Sequence, residues 1–207
     1  MKGNVQIQGS IQGLELASAI FLFVLGLNSF TDVFKMFMQN GISRKTMFIS
    51  QIASTLVISS VMALIDTVLS LISKSISVVN DGIYSAGMLE MLYDIRIDSI
   101  GGFIISFLLC YFMYISLTAV GYLITTLYYR MNKTQKIIVS IGVPALLFVI
   151  LPVVDTLLFK GVLFTGVAKI SGALLINPFM CMLSCFILFG IFMVLSWMLV
   201  RKAVVKN

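Results

Sequence analysis

Ser29-Phe30-Thr31-Asp32-Val33-Phe34-Lys35-Met36-Phe37-Met38-Gln39-Asn40-Gly41-Ile42-Ser43-Arg44-Lys45 is a short polar hinge between two long apolar runs. Phe30, Val33, Phe34 and Phe37 recur at helical spacing and line one face. Thr31, Asp32, Lys35 and Gln39 take the other faces. Ser29, with Asp32 three residues on, fits a Ser-x-x-Asp variant of the capping box. Asn40-Gly41 is a stop, because glycine takes the left-handed cap without a Cβ clash. Ser43 can cap the following helix, which puts Arg44 and Lys45 at the level of lipid headgroups. The stretch therefore predicts a capped amphipathic helix, a glycine stop and a basic anchor. Two uses fit that pattern: docking to a partner at one membrane face, or packing under the bundle as an interfacial helix.

The flanking runs set the fold class. Of the 207 residues, 60% are hydrophobic and 11% are charged, and the mean hydropathy is +1.10. A soluble domain carries about 25% charged residues, so a water-soluble bundle of this composition would expose large sticky patches. The chain reads as an all-α, polytopic transmembrane helix bundle forming a single transmembrane domain over 1–207. A hydrocarbon core of roughly 30 Å needs about 20 apolar residues per helix. Five segments qualify: Ile11–Asn28, Thr46–Ser73, Ile100–Tyr128, Ile137–Leu158 and Ala173–Val200. Barrel strands are excluded, because the ten-residue alternation they need is missing. No cleavable signal peptide is evident, so the first run is expected to remain as a span.

Orientation follows from Lys and Arg. Lys35, Arg44, Lys45, Arg130, Lys133, Lys136, Arg201, Lys202 and Lys206 fall on one side, against Lys2, Lys74, Arg96, Lys160 and Lys169 on the other. The richer side is expected to be cytoplasmic, with the N-terminus outside and the C-terminus inside. Residues 74–99 then form an outer loop, with Ala86–Ile97 as a short surface helix. Tyr122, Tyr128, Tyr129 and Trp197 mark membrane interfaces. Pro144 and Pro152 predict a kinked fourth span. The sequence shows neither a convincing G-x-x-x-G seam nor an inverted repeat of broken helices.

Little here can carry chemistry. Histidine is absent, which removes the commonest neutral-pH acid/base and metal ligand. Cys110, Cys181 and Cys185 lie inside apolar runs and read as packing residues. No phosphate loop of the form G-x-x-x-x-G-K-[ST] occurs, so the chain itself is not expected to hydrolyse ATP or to bind a cofactor. The net charge of +6 is spread over membrane-proximal links and calls for no nucleic acid. Asp66 stands alone inside the second span. An intramembrane carboxylate faces protein or water, so it is a candidate for the substrate path or a partner for bundle hydroxyls. Glu15 and Asp155 fall near outer ends and read as water-accessible.

One resemblance sharpens the hinge. With Leu25-Gly26-Leu27-Asn28-Ser29-Phe30 before it, the stretch from Phe34 through Thr46, above all Gln39-Asn40-Gly41-Ile42-Ser43-Arg44-Lys45, resembles the permease subunits of bacterial ABC transporters, of the small ABC-2-like type found in Gram-positive bacteria. The resemblance implies an exporter subunit working with a separately encoded ABC ATPase, which holds the ATP, and with a second permease copy or a homologous permease. It implies that residues 29–45 form a cytoplasmic coupling element, with Phe34, Phe37, Gln39, Asn40, Gly41, Ser43, Arg44 and Lys45 at the ATPase. Phe34 and Phe37 would insert into a groove on that partner. Such subunits have six spans and both termini inside, so the resemblance also implies a missing first span.

Two rival readings share this membrane chemistry. One is a secondary transporter or channel without an ATPase, which would need a polar path at mid-depth. The other is a non-transport immunity or interaction protein. An intramembrane hydrolase ranks last: the histidine-based metal types have no ligands here, and the carboxylate types need paired acids on facing helices.

Overall fold

The computed structural model describes residues 14–79, 87–93, 100–145, 172 and 177–201. Described elements are α1 (Leu14–Asn28), α2 (Thr31–Gln39), α3 (Arg44–Val79), α4 (Met88–Tyr93), α5 (Ile100–Arg130), α6 (Lys133–Ala145) and α7 (Pro178–Arg201). All are helices. In lipid a lone strand would leave its backbone groups unpaired, whereas a helix satisfies them internally.

Four stretches among the described residues are long and apolar enough to cross a membrane: Leu14–Gln39, Arg44–Ser73, Ile100–Arg130 and Pro178–Arg201. The chain is a multi-pass membrane protein built as a helical bundle. Of the expected crossing at Ile137–Leu158, only the part within α6 is described. Pro152, Asp155 and the expected start of the first span at Ile11 lie outside the described residues.

The helices bury their polar faces and expose apolar ones. On α1 the buried residues are Glu15, Ser18, Ala19, Leu22 and Gly26, while Leu16, Ile20, Phe21 and Val24 face outward. On α3, Gln51, Thr55, Ser59, Ala63, Asp66 and Thr67 are buried, while Val57, Val61, Leu64 and Val68 are exposed. This is the arrangement expected where lipid is the solvent, because hydroxyls and carboxylates find partners only inside the bundle.

Helix directions follow from the contacts. Ser29 meets Gln51 and Ser18 meets Asp66, so α1 and α3 are antiparallel. Leu27 meets Thr125 and Glu15 meets Tyr114, so α1 and α5 are parallel. Leu109 packs with Cys181, and Tyr129 shares a cluster with Val200, so α5 and α7 are parallel as well. The end of α5 and the start of α7 therefore lie at opposite ends of the bundle.

Glycine sets the α1–α5 distance. A Cβ on Gly26 would stand 2.4 Å from the Thr118 carbonyl oxygen, and one on Gly121 would stand 2.5 Å from the Phe23 carbonyl oxygen. Both clashes are with backbone, so neither neighbour can step aside. Small residues let membrane helices approach this closely. The two glycines lie on different helices, which is why no G-x-x-x-G spacing betrays the seam. The Thr125 hydroxyl reinforces it by donating to the Leu27 carbonyl.

Two expectations about the stretch 74–99 need correction. Helix α3 continues to Val79, well into the predicted outer loop. The short helix forms as α4, but one side of it is sunk into the bundle while Leu92 faces outward. Leu89 is fully buried and packs with Leu109, Cys181, Met182 and Cys185. Apolar residues on one side of so short a helix have a lower free energy against the bundle than in water.

Candidate functional site

At one end of the bundle stands the hinge. Helix α2 forms where the spacing of Phe30, Val33, Phe34 and Phe37 places it, with those residues on its packed face. Phe30 and Phe34 are buried. Their rings stack with centroids 5.1 Å apart, and both meet Tyr129 edge-on, at 5.2 and 5.5 Å. Phe30 also meets Tyr122 at 5.7 Å. Such aromatic pairs add about 0.5–1.5 kcal/mol beyond area burial.

The glycine stop is as expected and can be described bond by bond. Gly41 has φ 69, the left-handed region. Its N–H donates to Met38 O (3.2 Å), and the Ile42 N–H donates to Phe37 O (3.0 Å). Those two bonds are the Schellman pattern. Asn40 adds a side-chain bond from Nδ2 to Met36 O (2.9 Å). Ser43 caps α3 as expected, accepting from the Thr46 N–H (3.1 Å). Gln39, Asn40, Gly41, Ser43 and Lys45 are exposed, and Arg44 is half-buried. The Arg44 guanidinium donates to the Arg201 carbonyl oxygen (2.7 Å), which fastens the end of α7 to the start of α3.

Two hinge expectations fail. Ser29 does not cap α2. Phe30 precedes the helix with φ −100 and ψ −54 and without a side-chain cap bond, so the backbone never leaves helical geometry there. Ser29 instead donates to Gly26 O (2.9 Å) and accepts from Gln51 Nε2 (3.1 Å), tying α1 to α3. Second, Phe34 cannot reach into a partner's groove. It is 0% exposed and held inside this chain's own aromatic cluster, with Phe37 partly buried against the same cluster. The part of the hinge open to a partner is its C-terminal turn, Gln39–Ser43, together with the outward residues Asp32 and Met36.

At the opposite end Asp66 is not alone. Its carboxylate accepts from Ser18 Oγ (3.0 Å) and from the Tyr114 hydroxyl (2.5 Å), which also lies 3.2 Å from the Glu15 carbonyl oxygen. Glu15 joins the same cluster. It accepts from Ser70 Oγ (3.3 Å) and from the backbone N–H of Met88 at the start of α4. Both carboxylates are buried, at 7% and 4% exposure. Glu15 is therefore not the water-facing group that its place near a span end suggests, because α4 closes over it. The signal was present: Glu15 with Ser18, and Asp66 with Ser70, each share one helix face. Sequence alone could not say that the two faces meet.

A polar row leads from this cluster back along α3. Gln51, Thr55, Ser59, Asp66 and Ser70 recur at helical spacing on its packed face. Among the described residues, the hydroxyls of Thr55 and Ser59 are buried without a hydrogen-bond partner, as are those of Ser106 and Tyr122 on α5 and Ser196 on α7. Buried hydroxyls in this condition are uncommon and costly. No group of three or more His, Cys, Asp or Glu able to hold a metal ion occurs among the described residues. Cys110, Cys181 and Cys185 are free, buried thiols.

No protein-family model, no curated protein and no solved structure matches this chain.

Proposed function

We propose that this chain is the membrane-spanning subunit of an ATP-driven ABC transporter, working as an exporter in the cell membrane with the hinge on the cytoplasmic side. ATP would be bound and hydrolysed by a separate ATPase subunit, and a second copy or a homologous permease would complete the pathway. The observation that carries this reading is the hinge. Its Schellman turn is held out in the open while its helix is locked to α5 through Phe30, Phe34, Tyr122 and Tyr129. Close-packed aromatics transmit displacement rather than absorb it. A push on Gln39–Ser43 by a closing ATPase would therefore move α2 as one piece and carry α5 with it. Such a push would bias the bundle between two states.

This reading requires a gene for an ABC ATPase beside that of this chain, and the test is co-purification with its product and stimulation of its ATPase activity. Met36 and Gln39 are exposed and hold nothing in place. The double variant Met36→Ala plus Gln39→Ala is expected to bind the ATPase about ten-fold more weakly, the loss of roughly 1.4 kcal/mol of contact, with its own unfolding unchanged. Unchanged binding and stimulation would remove the coupling role. Labelling of a cysteine at position 39 only from the outer medium would remove the orientation.

The polar row on α3 supports a second reading, an ion-coupled secondary transporter or channel with Asp66 in its path. Under that reading the chain alone, in liposomes, carries an ion flux that Asp66→Asn abolishes. Under the first reading it carries none without the ATPase.

A further inference from the structure

The hinge end carries a second feature that the coupling reading does not use. Between the first half of α3 and the last half of α7 runs a groove of about 440 Å³, with Phe48, Ile52, Gly190, Val194 and Trp197 in its lining. Its lining is apolar but for Lys45 at one end. Ile49 and Val194, on its rims, are 55% and 56% exposed on the outer faces of two membrane-crossing stretches, so the groove opens sideways into lipid. Phe48 and Trp197 form part of the wall, their rings 5.1 Å apart. Gly190 leaves space in it, with nothing within 4 Å of where a Cβ would stand.

Charge is confined to the mouth. The Lys45 ammonium is exposed there, and the Arg44 side chain bridges to the last turn of α7, where Arg201 stands. Lys45 thus places a cation at the headgroup end of an otherwise uncharged slot, next in the chain to the Arg44 that ties α3 to the end of α7. A peptide or a soluble ligand would bring polar backbone or hydroxyls into that slot and leave them unpaired. A molecule with an anionic head and a hydrocarbon tail matches both parts. Basic pockets between membrane helices are suited to anionic headgroups.

We propose that this groove is a binding site for an anionic phospholipid, with one acyl chain lying between α3 and α7 and the phosphate at the Lys45 ammonium. The site does not depend on the transport reading, since it needs only the packing of two helices and the charge at their joined ends.

The experiment is native mass spectrometry of the full chain released from mixed phosphatidylglycerol and phosphatidylcholine, with unfolding by circular dichroism as the folding control. The wild type is expected to retain phosphatidylglycerol in preference to phosphatidylcholine. Lys45→Gln is expected to lower that preference about five-fold, the value of one basic residue at an anionic surface. Gly190→Leu projects into the slot from a Cβ with nothing within 4 Å and is expected to lower retention of both lipids while the chain stays folded. Retention by folded Gly190→Leu equal to the wild type would overturn the proposal. So would displacement of the lipid by millimolar inorganic phosphate, which would mean that the charge alone recognises its ligand. A Gly190→Leu chain that loses a dimer and never showed a lipid preference would assign the groove to a second copy of this chain, and would also overturn it.

Discussion

The two ends of this bundle solve opposite problems. At the hinge end, aromatic rings are buried and polar groups are displayed: Phe30 and Phe34 sit in the core while Gln39 to Ser43 face outward. At the far end, polar groups are buried: Asp66 accepts from Ser18 and Tyr114, and Glu15 accepts from Ser70 and from the Met88 N–H of α4. The first end is held by packing and tolerates change on its outer surface. The second is held by hydrogen bonds, and each partner removed leaves another buried group unsatisfied. A surface that docks and a core that must not open are thus separated by the length of the helices, with the Gly26–Gly121 approach between them.

Gly121→Leu should break the contrast altogether. It forces α1 and α5 apart against backbone atoms, and a loss at or above roughly 4 kcal/mol is expected, in the range of exceptional single substitutions. Unfolding in mixed micelles should show both ends lost together. Next, Phe34→Ala should cost about 3 kcal/mol through the cavity it leaves. Hydrogen exchange should accelerate in α2 and leave the amides near Met88 protected. Acceleration at both ends would deny their independence. Asp66→Ala leaves Ser18 without its acceptor and Tyr114 with only the Glu15 carbonyl, and should cost about 2 kcal/mol, with faster exchange at Met88 and α2 unmoved. The smallest change is expected from Asp32→Ala, within about 0.5 kcal/mol, because α2 starts without a side-chain cap. A larger loss by the same unfolding measurement would reinstate the capping box that Ser29 and Asp32 suggest.

Gly41 and Ser43 were legible in the sequence because their work is local. A left-handed glycine closes a helix with bonds three and five residues back, and Ser43 caps an N–H three residues ahead. Ser29 was misread by the same local logic. Its real partner, Gln51, is on another helix, and nothing near Ser29 in the chain announces it. The resemblance singled out the right turn, yet it placed Phe34 at the partner when that ring is inside the bundle. Spacing places Phe30, Val33, Phe34 and Phe37 on one face, but it cannot say whether that face meets this chain or another.

Sequence by itself determined the solvent and the elements. So little charge over such apolar runs requires lipid, and lipid requires helices whose backbone bonds are internal. Only the tertiary structure decided how each helix is rotated about its axis. In water an apolar stripe fixes that rotation, but here lipid and protein interior are both apolar, and nearly every face would serve. The choice falls to the few groups that lipid cannot accept and to the closest approach of backbones. Glu15 joins Ser70 and Met88 at separations of 55 and 73 residues, Asp66 joins Ser18 across 48, and Gly26 fits only against Thr118 and Gly121. Those pairings are properties of the packed bundle, and no window along the chain contains them.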